Sequence, residues 1–148
     1  MTIDNRIVMS VSAAIFGAGF ILGGVLEPWS GRVSAQSANR VFELRTYTAP
    51  DGKLNDLHAR FRNHTLRLFA KHGITNVGYF KPLDAPQSQN TMVYLLAYPS
   101  RDGAKQSWDG FRKDADWVKA RAESEAKGPI VSNVQSLFLE PADYSPMK

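Results

Sequence analysis

Histidine is the side chain best suited to acid–base chemistry near neutral pH, and this chain has three, at His58, His64 and His72. All three fall within one predicted helix, at spacings of six and eight residues. A helix brings two side chains to one metal ion when they are three or four residues apart. The spacing therefore predicts no metal site, and each histidine would act alone.

His64 is the best candidate for a catalytic residue. The predicted helix has an apolar stripe centred near Phe61, and His64 lies about 60° to one side, where the stripe meets Arg60, Arg67 and Lys71. An imidazole in that position can orient or protonate an anionic or carbonyl-bearing ligand. The alternative is a boundary histidine that is hydrogen-bonded to the backbone or to solvent.

A strand predicted over residues 41–48 carries Glu43, Arg45 and Tyr47 on one face. Side chains two residues apart on a strand stand about 7 Å apart, so Glu43 and Arg45 can pair. In one interpretation Arg45 anchors a ligand carboxylate or phosphate. In the other, the pair only fixes the register of a dimer, since a buried charge needs a partner.

Three aromatic residues, Trp108, Phe111 and Trp117, recur near helical spacing. Such residues usually belong to a core. The alternative is a ligand-binding wall, completed by Tyr98 and His64. The predicted ligand-binding residues are therefore Arg45, Tyr47, His64, Tyr98, Trp108 and Phe111.

The composition excludes several classes of protein. The chain has no cysteine, which removes disulfides, cysteine-ligated zinc, thiol catalysis and c-type haem attachment. A net charge of +4 permits attraction to anionic ligands, but no basic stripe interleaved with aromatic residues indicates nucleic acid. No phosphate-cradling glycine loop or nucleophile elbow is present. We expect no cofactor, no metal and no nucleic-acid partner.

The elements that position these residues follow from hydrophobic periodicity. Alternating apolar and polar residues, or short apolar runs, predict strands over residues 41–48, 76–81, 91–98 and 133–140. Spacings of three and four predict a helix over residues 53–72, and Ser100 and Asp114 precede two further helical segments. The order β-α-β-β-α-β predicts an α+β, ferredoxin-like domain, a four-stranded antiparallel sheet with helices on one face.

The strand over residues 91–98 is apolar on both faces, which is typical of a central strand covered on both sides. Two helices cover one face of such a sheet. The other face carries Tyr94, Leu96 and Tyr98, or the residues that alternate with them, and needs another cover. A second copy of the sheet is the simplest one, so we predict a homodimer whose sheets close face to face.

The N-terminal region contains an uncharged run over residues 7–26, IVMSVSAAIFGAGFILGGVL. At 1.5 Å per residue this run is long enough to span the roughly 30 Å core of a bilayer. Val33-Ser34-Ala35 follow, spaced for cleavage before Gln36. Residues 1–37 are predicted to be a signal peptide or membrane anchor plus a linker, and residues 38–148 the folded domain. The domain would be exported, periplasmic or otherwise extracytoplasmic, and membrane-anchored if the run is retained.

Several blocks of the sequence together resemble the NIPSNAP family. They are VFELRTYTAPDGKL, RFRNHTLRLFAKHGITNVGYF, NTMVYLLAYPSRD, SWDGFRKDADW and ARAESEAKGPIV, and the similarity covers residues 40–145. The resemblance implies a dimeric α/β barrel, in which two such sheets meet. It implies no settled biochemical activity, although relatives by fold include small monooxygenases and haem-degrading enzymes.

Three functions remain open from the sequence. The first is a binding domain that holds a small, mostly apolar ligand in a pocket between helices and sheet; the partner is a small apolar or anionic ligand. The second is an enzyme that uses the same pocket for cofactor-independent oxygenation or isomerisation. The third is an interaction or scaffold module of the cell envelope that takes no small ligand.

Overall fold

The computed structural model describes residues 40–148. The strands are β1 (Val41–Thr48), β2 (Thr75–Phe80), β3 (Thr91–Tyr98) and β4 (Asn133–Leu139). The helices are α1 (Leu54–Arg60), α2 (Leu66–Lys71), α3 (Gln87–Asn90), α4 (Arg101–Lys113) and α5 (Ala115–Ser124). The predicted export segment, residues 7–26, lies outside the described residues. No helix within residues 40–148 is long and apolar enough to cross a membrane.

The four strands form one antiparallel sheet in the order β2-β3-β1-β4. This is the predicted ferredoxin-like α+β arrangement. β1 lies between β3 and β4, and its register opposes Arg45 to Tyr94 on one side and to Ser136 on the other. Because opposed residues of an antiparallel pair share a face, these three side chains point to the same side of the sheet, under the helices.

The two faces of the sheet differ in cover. Tyr94, Leu96 and Tyr98 are fully buried in the core beneath the helices. Their alternates Val93 and Leu95 lie on the open face and are half-buried. Of the two sets that the sequence left open, the alternates therefore form the face that lacks helical cover.

The helical run predicted over residues 53–72 is continuous but not uniformly α-helical. A π-helical segment, Phe61–Thr65, joins α1 to α2. The amide of Leu66 donates to the carbonyl of Phe61, five residues back, which is the pattern of a π turn. The hydroxyl of Thr65 donates to the carbonyl of Arg60 at 3.3 Å, which gives the buried hydroxyl a partner.

The second pair of helices begins where the capping residues predicted. Ser100 accepts from the amide of Gly103 at 3.0 Å and begins α4. Asp114 accepts from the amide of Asp116 at 2.9 Å and begins α5. Asp114 also contacts Lys71 at 2.7 Å and His72 at 2.6 Å, and these hydrogen bonds lower its pKa. They join the end of α2 to the junction of α4 and α5.

Candidate functional site

A buried carboxylate, that of Glu43, lies at the centre of a network of side chains from four elements. Glu43 is 1% exposed. It accepts hydrogen bonds from the hydroxyl of Tyr98 at 2.6 Å, from Nε1 of Trp108 at 2.8 Å and from the hydroxyl of Ser136 at 2.5 Å. Arg45 pairs with it at 2.5 Å. The partners reach Glu43 from β3, α4 and β4, so this carboxylate fixes a helix and two strands to β1.

The network sets the protonation state of its members. Burial alone would raise the pKa of Glu43, but the hydrogen bonds from Ser136 and Tyr98 and the charge of Arg45 outweigh it, and the pKa lies below its ordinary value of 4.5. Burial and donation to Glu43 raise the pKa of Tyr98. Near neutral pH, Glu43 is therefore an ionised acceptor and Tyr98 a protonated donor.

Arg45 is the charged group that this network holds in place. Its Nε donates to the hydroxyl of Tyr94 at 2.9 Å, and a second nitrogen reaches the hydroxyl of Tyr47 at 3.4 Å. The guanidinium lies 4.4 Å from the centroid of the Trp108 ring, which is cation–π distance. Four neighbours thus fix the guanidinium, which leaves little rotamer freedom to be lost when an anion binds to it.

A cavity of about 460 Å³ opens beside Arg45, between the helices and the start of β4; we call it the principal cavity. Its aromatic lining consists of Tyr47, Phe61, Phe69, Trp108, Phe111 and Trp117. Its charged lining consists of Arg45, Arg60, Arg112, Arg121 and Glu125. The lining presents four guanidinium groups, each paired with a carboxylate of Glu43, Glu125 or Asp109. Their remaining donors and the aromatic walls suit the cavity to an anion with an aromatic or apolar body.

Arg60 is the second notable cation of the principal cavity. It is 5% exposed, donates to Glu125 at 2.8 Å and lies 5.2 Å from the ring centroid of Trp117. Its Nε is buried and has no hydrogen-bond partner within residues 40–148. A buried donor without a partner is costly, and an acceptor on a bound ligand would remove that cost.

The π-helical segment explains why three neighbouring residues line the same cavity. Arg60, Phe61 and Thr65 all belong to its wall. In an α-helix, residues five apart point in different directions, whereas a π turn stacks residue i under residue i+5. The π turn therefore brings Thr65 above Arg60, and π turns inside α-helices occur frequently at functional sites.

The structure brings together four of the six predicted ligand-binding residues. Arg45, Tyr47, Trp108 and Phe111 line the principal cavity. Tyr98 does not line it, but it supports the site through its hydrogen bond to Glu43. Trp108 and Phe111 are also core residues, which confirms the core interpretation of the aromatic residues. Their role as a ligand-binding wall stays a prediction.

His64 lies apart from these residues. It lines a separate groove between α1 and α5, whose walls include Lys53, Asn63 and Lys127. His64 therefore does not lie at the rim of the principal cavity, where it was predicted, although Phe61 and Thr65 of the same π-helical segment line that cavity. A functional role for His64 stays a prediction.

The other two histidines have structural surroundings. His72 contacts Asp114 at the helix junction. Burial lowers the pKa of His58, as do the nearby charges of Lys81 and Arg62. Within residues 40–148, no group of three or more histidine, aspartate or glutamate side chains could hold a metal ion.

Sequence reasoning missed three of the cavity arginines as site residues. The sequence position of Arg60 could have marked it as a site residue, since it lies beside the apolar stripe of its helix, next to Phe61. Arg112 and Arg121 look like ordinary exposed helix residues in the sequence. Only the packing of α4 and α5 turns them toward the cavity.

The fold and the cavity define a ferredoxin-like α+β protein with a cationic, aromatic-lined pocket between helices and sheet. The family model of NIPSNAP matches residues 42–146. The chain therefore belongs to the NIPSNAP family. No curated protein matches it significantly.

Solved structures support this assignment at the level of the fold. A NIPSNAP family protein of unknown function from Agrobacterium tumefaciens superposes with a TM-score of 0.64 at 19% identity, over 75% of this chain and 96% of that one. A NIPSNAP-like domain protein from Burkholderia xenovorans gives 0.64 at 17% identity, over 74% and 90%. The monooxygenase ActVA-Orf6 of Streptomyces coelicolor, in complex with nanaomycin D, gives 0.51 at 10% identity, over 74% and 93%.

Proposed function

We propose that this NIPSNAP domain binds a small molecule with an aromatic or apolar body and an anionic group in the principal cavity. The observation that carries the proposal is the pair of arginines in its wall. Arg45 is held in place by four neighbours. Arg60 is buried with an unpartnered Nε. Both guanidinium groups also have structural partners, Glu43 and Glu125, and both line the cavity.

Affinity and orientation have different sources in such a site. Aromatic walls supply affinity through the area that they remove from water, about 25 cal/mol per Å². The arginines orient the ligand because a guanidinium donates two parallel hydrogen bonds to a carboxylate. A volume of about 460 Å³ is within the range of known small-molecule pockets.

The test compares two probes of one shape on the full-length protein by isothermal titration calorimetry. 2-Naphthoate carries the anionic group, and 2-naphthamide is its uncharged isostere. We expect naphthoate to bind at least about tenfold more tightly, the equivalent of one charge-assisted hydrogen bond. Arg60→Gln should remove most of that preference. Lys119→Gln removes one exposed charge on α5 outside the cavity lining and should leave it intact.

Two results would contradict the proposal. One is equal affinity for the acid and the amide; the other is no binding of either probe, which would favour an interaction module without a small ligand. His64→Ala adds a further discrimination, since His64 lies in the separate groove and its loss should leave naphthoate binding unchanged. A loss of naphthoate binding in His64→Ala would show that His64 contributes to the binding site.

Cofactor-independent oxygenation is a second candidate, favoured by Arg45 beside an aromatic cavity. A fixed guanidinium stabilises the enolate or phenolate of an electron-rich substrate, and such an anion reacts with molecular oxygen. The likeness to ActVA-Orf6 supports the fold for this chemistry but not the chemistry itself. Anthrone is a suitable probe, because one oxygen molecule converts it to anthraquinone and water. Oxygen uptake equal to the uncatalysed rate would exclude this substrate class.

Assembly and location complete the proposal. The open face of the sheet supports a homodimer, since the helices leave it uncovered. The uncharged run over residues 7–26 supports export, with the domain on the outer side of the membrane. Fractionation of the native host, followed by N-terminal sequencing, tests location. Intact chain in the cytosolic fraction would contradict export.

A further inference from the structure

A second cavity, also of about 460 Å³, adjoins the principal cavity; we call it the outer cavity. The two share three lining residues, Arg45, Trp108 and Arg112. The outer cavity continues along α4 toward its N-terminus and along β4 toward its C-terminus. Its remaining lining consists of Glu43, Arg101, Asp102, Lys105, Ser136 and Phe138.

The outer cavity has its own cations. Arg101 is exposed, and its guanidinium carbon lies 3.2 Å from the ring centroid of Phe138 on β4. No salt bridge to Arg101 occurs within the described part of the chain. Lys105 follows one helical turn later and pairs only with the exposed Asp109, at 2.7 Å. Arg101 and Lys105, one turn apart on α4, therefore both line the outer cavity.

The acids of the outer cavity do not neutralise these cations. The two oxygens of Glu43 already accept four hydrogen bonds, from Arg45, Tyr98, Trp108 and Ser136. Glu43 thus serves the internal network and has no capacity left for Arg101. Asp102 is the one other acid in the lining. Besides Arg45, the lining has three cations, and two of them, Lys105 and Arg112, pair with Asp109 at 2.7 and 3.5 Å. Counted against Asp102 and Asp109, one positive charge remains in excess in the outer cavity.

The residues shared by the two cavities are one aromatic ring and two guanidinium groups, which together form an aromatic and cationic surface. The ring of Trp108 has Arg45 at 4.4 Å and Arg112 at 5.4 Å from its centroid. Planar groups stack on such a surface without needing a hydrogen bond, whereas a bulky aliphatic group would leave gaps beside it. A flat ligand that extends from the principal cavity into the outer cavity would pass along Trp108.

We infer that the principal cavity and the outer cavity form one elongated site for a flat aromatic compound with an acidic group at each end. This inference rests on the proposed function. One acidic group binds Arg45 and Arg60 in the principal cavity, the aromatic body lies along Trp108, and the second acidic group binds Arg101 and Lys105. A ligand with a single acidic group fills the principal cavity only.

The experiment uses matched pairs of monoacids and diacids on the full-length protein, by isothermal titration calorimetry. The pairs are 2-naphthoate with 2,6-naphthalenedicarboxylate, and biphenyl-4-carboxylate with biphenyl-4,4′-dicarboxylate, which differ in length. For at least one pair we expect the diacid to bind about tenfold more tightly, the effect of one additional charge-assisted contact. The double variant Arg101→Gln/Lys105→Gln should bring the diacid to the affinity of its monoacid. It should change monoacid binding less than about twofold.

The control variant and the outcomes separate this inference from the proposed function. Lys119→Gln/Lys127→Gln makes the same change in net charge outside both chambers and should keep the preference for the diacid. If monoacids bind but no diacid binds more tightly, or if the preference survives Arg101→Gln/Lys105→Gln, the elongated site is refuted and the proposed function stands. If no acid binds at all, both are refuted.

Discussion

At the scale of single residues, Glu43 links a structural ion pair to the proposed binding site. Its carboxylate is buried, and all of its hydrogen-bonding partners are donors. The two interpretations of the Glu43–Arg45 pair, a ligand anchor and a structural device, therefore do not exclude one another. Glu43 holds Arg45 so that the guanidinium faces the principal cavity, and Trp108 fixes α4 to the same carboxylate.

Removing the charge of Glu43 should destabilise the domain. In Glu43→Gln, the guanidinium of Arg45 stays in place without its counter-ion, which costs about 3 kcal/mol for a buried pair. The double variant Glu43→Gln/Arg45→Met removes both charges and should recover part of that loss. Urea unfolding of residues 38–148 measures both. A double variant less stable than Glu43→Gln would show that Arg45 stabilises the domain without the carboxylate.

The same residue predicts a pH dependence. The pKa of Glu43 is lowered on folding, so ionised Glu43 favours the folded state at pH values above its ordinary pKa of 4.5. This contribution is lost as the pH falls from 4.5 through the lower pKa of the folded state. The stability difference between wild type and Glu43→Gln should therefore shrink in that range and stay constant between pH 6 and 8, since the carboxyl group is ionised in both states there. A difference that grows on acidification would contradict the direction of the shift.

At the scale of elements, the π turn is the feature that separates binding from folding. It contains one more residue per turn than an α-helix, so deleting one residue restores an α-helix and keeps α1 and α2 in phase. Asn63 is exposed within it. Deletion of Asn63 should leave the free energy of unfolding within about 1 kcal/mol, because the core residues of α2 keep their positions.

Binding should respond differently to that deletion. After the deletion, Thr65 follows Arg60 by four residues and stays on the same helix face. The backbone at Phe61 rewinds from a π turn to an α turn, so the part of the cavity wall that Phe61 forms changes shape. We expect 2-naphthoate affinity to fall at least about tenfold, as for a lost charge-assisted contact. Asn63→Ala keeps the length of the segment and should bind normally. Normal binding by the deletion variant would show that the π turn has no part in the site.

The elements also show which structural features can be predicted from the sequence and which cannot. Alternation places all four strands within one residue of their observed starts, and Ser100 and Asp114 mark two helix starts, because these signals are local. The π turn gives no such signal, since its apolar residues keep a spacing that also suits an α-helix. The contact between Trp108 and Glu43 joins residues 65 positions apart and depends on how α4 packs on the sheet. Local sequence patterns do not predict contacts between residues so far apart in the chain.

At the scale of the whole molecule, the open face of the sheet is the main unsatisfied surface. Leu137 is 58% exposed there, and Phe80 is 56% exposed. The C-terminal segment covers part of this face, since Pro141, Tyr144 and Met147 line a shallow cavity with Leu95. Apolar side chains on a two-layer domain gain stability when a third layer buries them, and a second sheet is such a layer.

The proposed homodimer should depend on this face and not on the core. Leu137→Asp should give a folded monomer, because Leu137 is exposed in the protomer and its charge would be buried only between two sheets. Val118→Asp is the matched control, since Val118 is 56% exposed on the helical side and should leave the dimer intact. Leu96→Asp should unfold the domain instead, because Leu96 is fully buried under the helices. Light scattering at micromolar concentration, with circular dichroism for folding, distinguishes the three variants. A monomeric wild-type protein, or a dimer that survives Leu137→Asp, would refute the face-to-face arrangement.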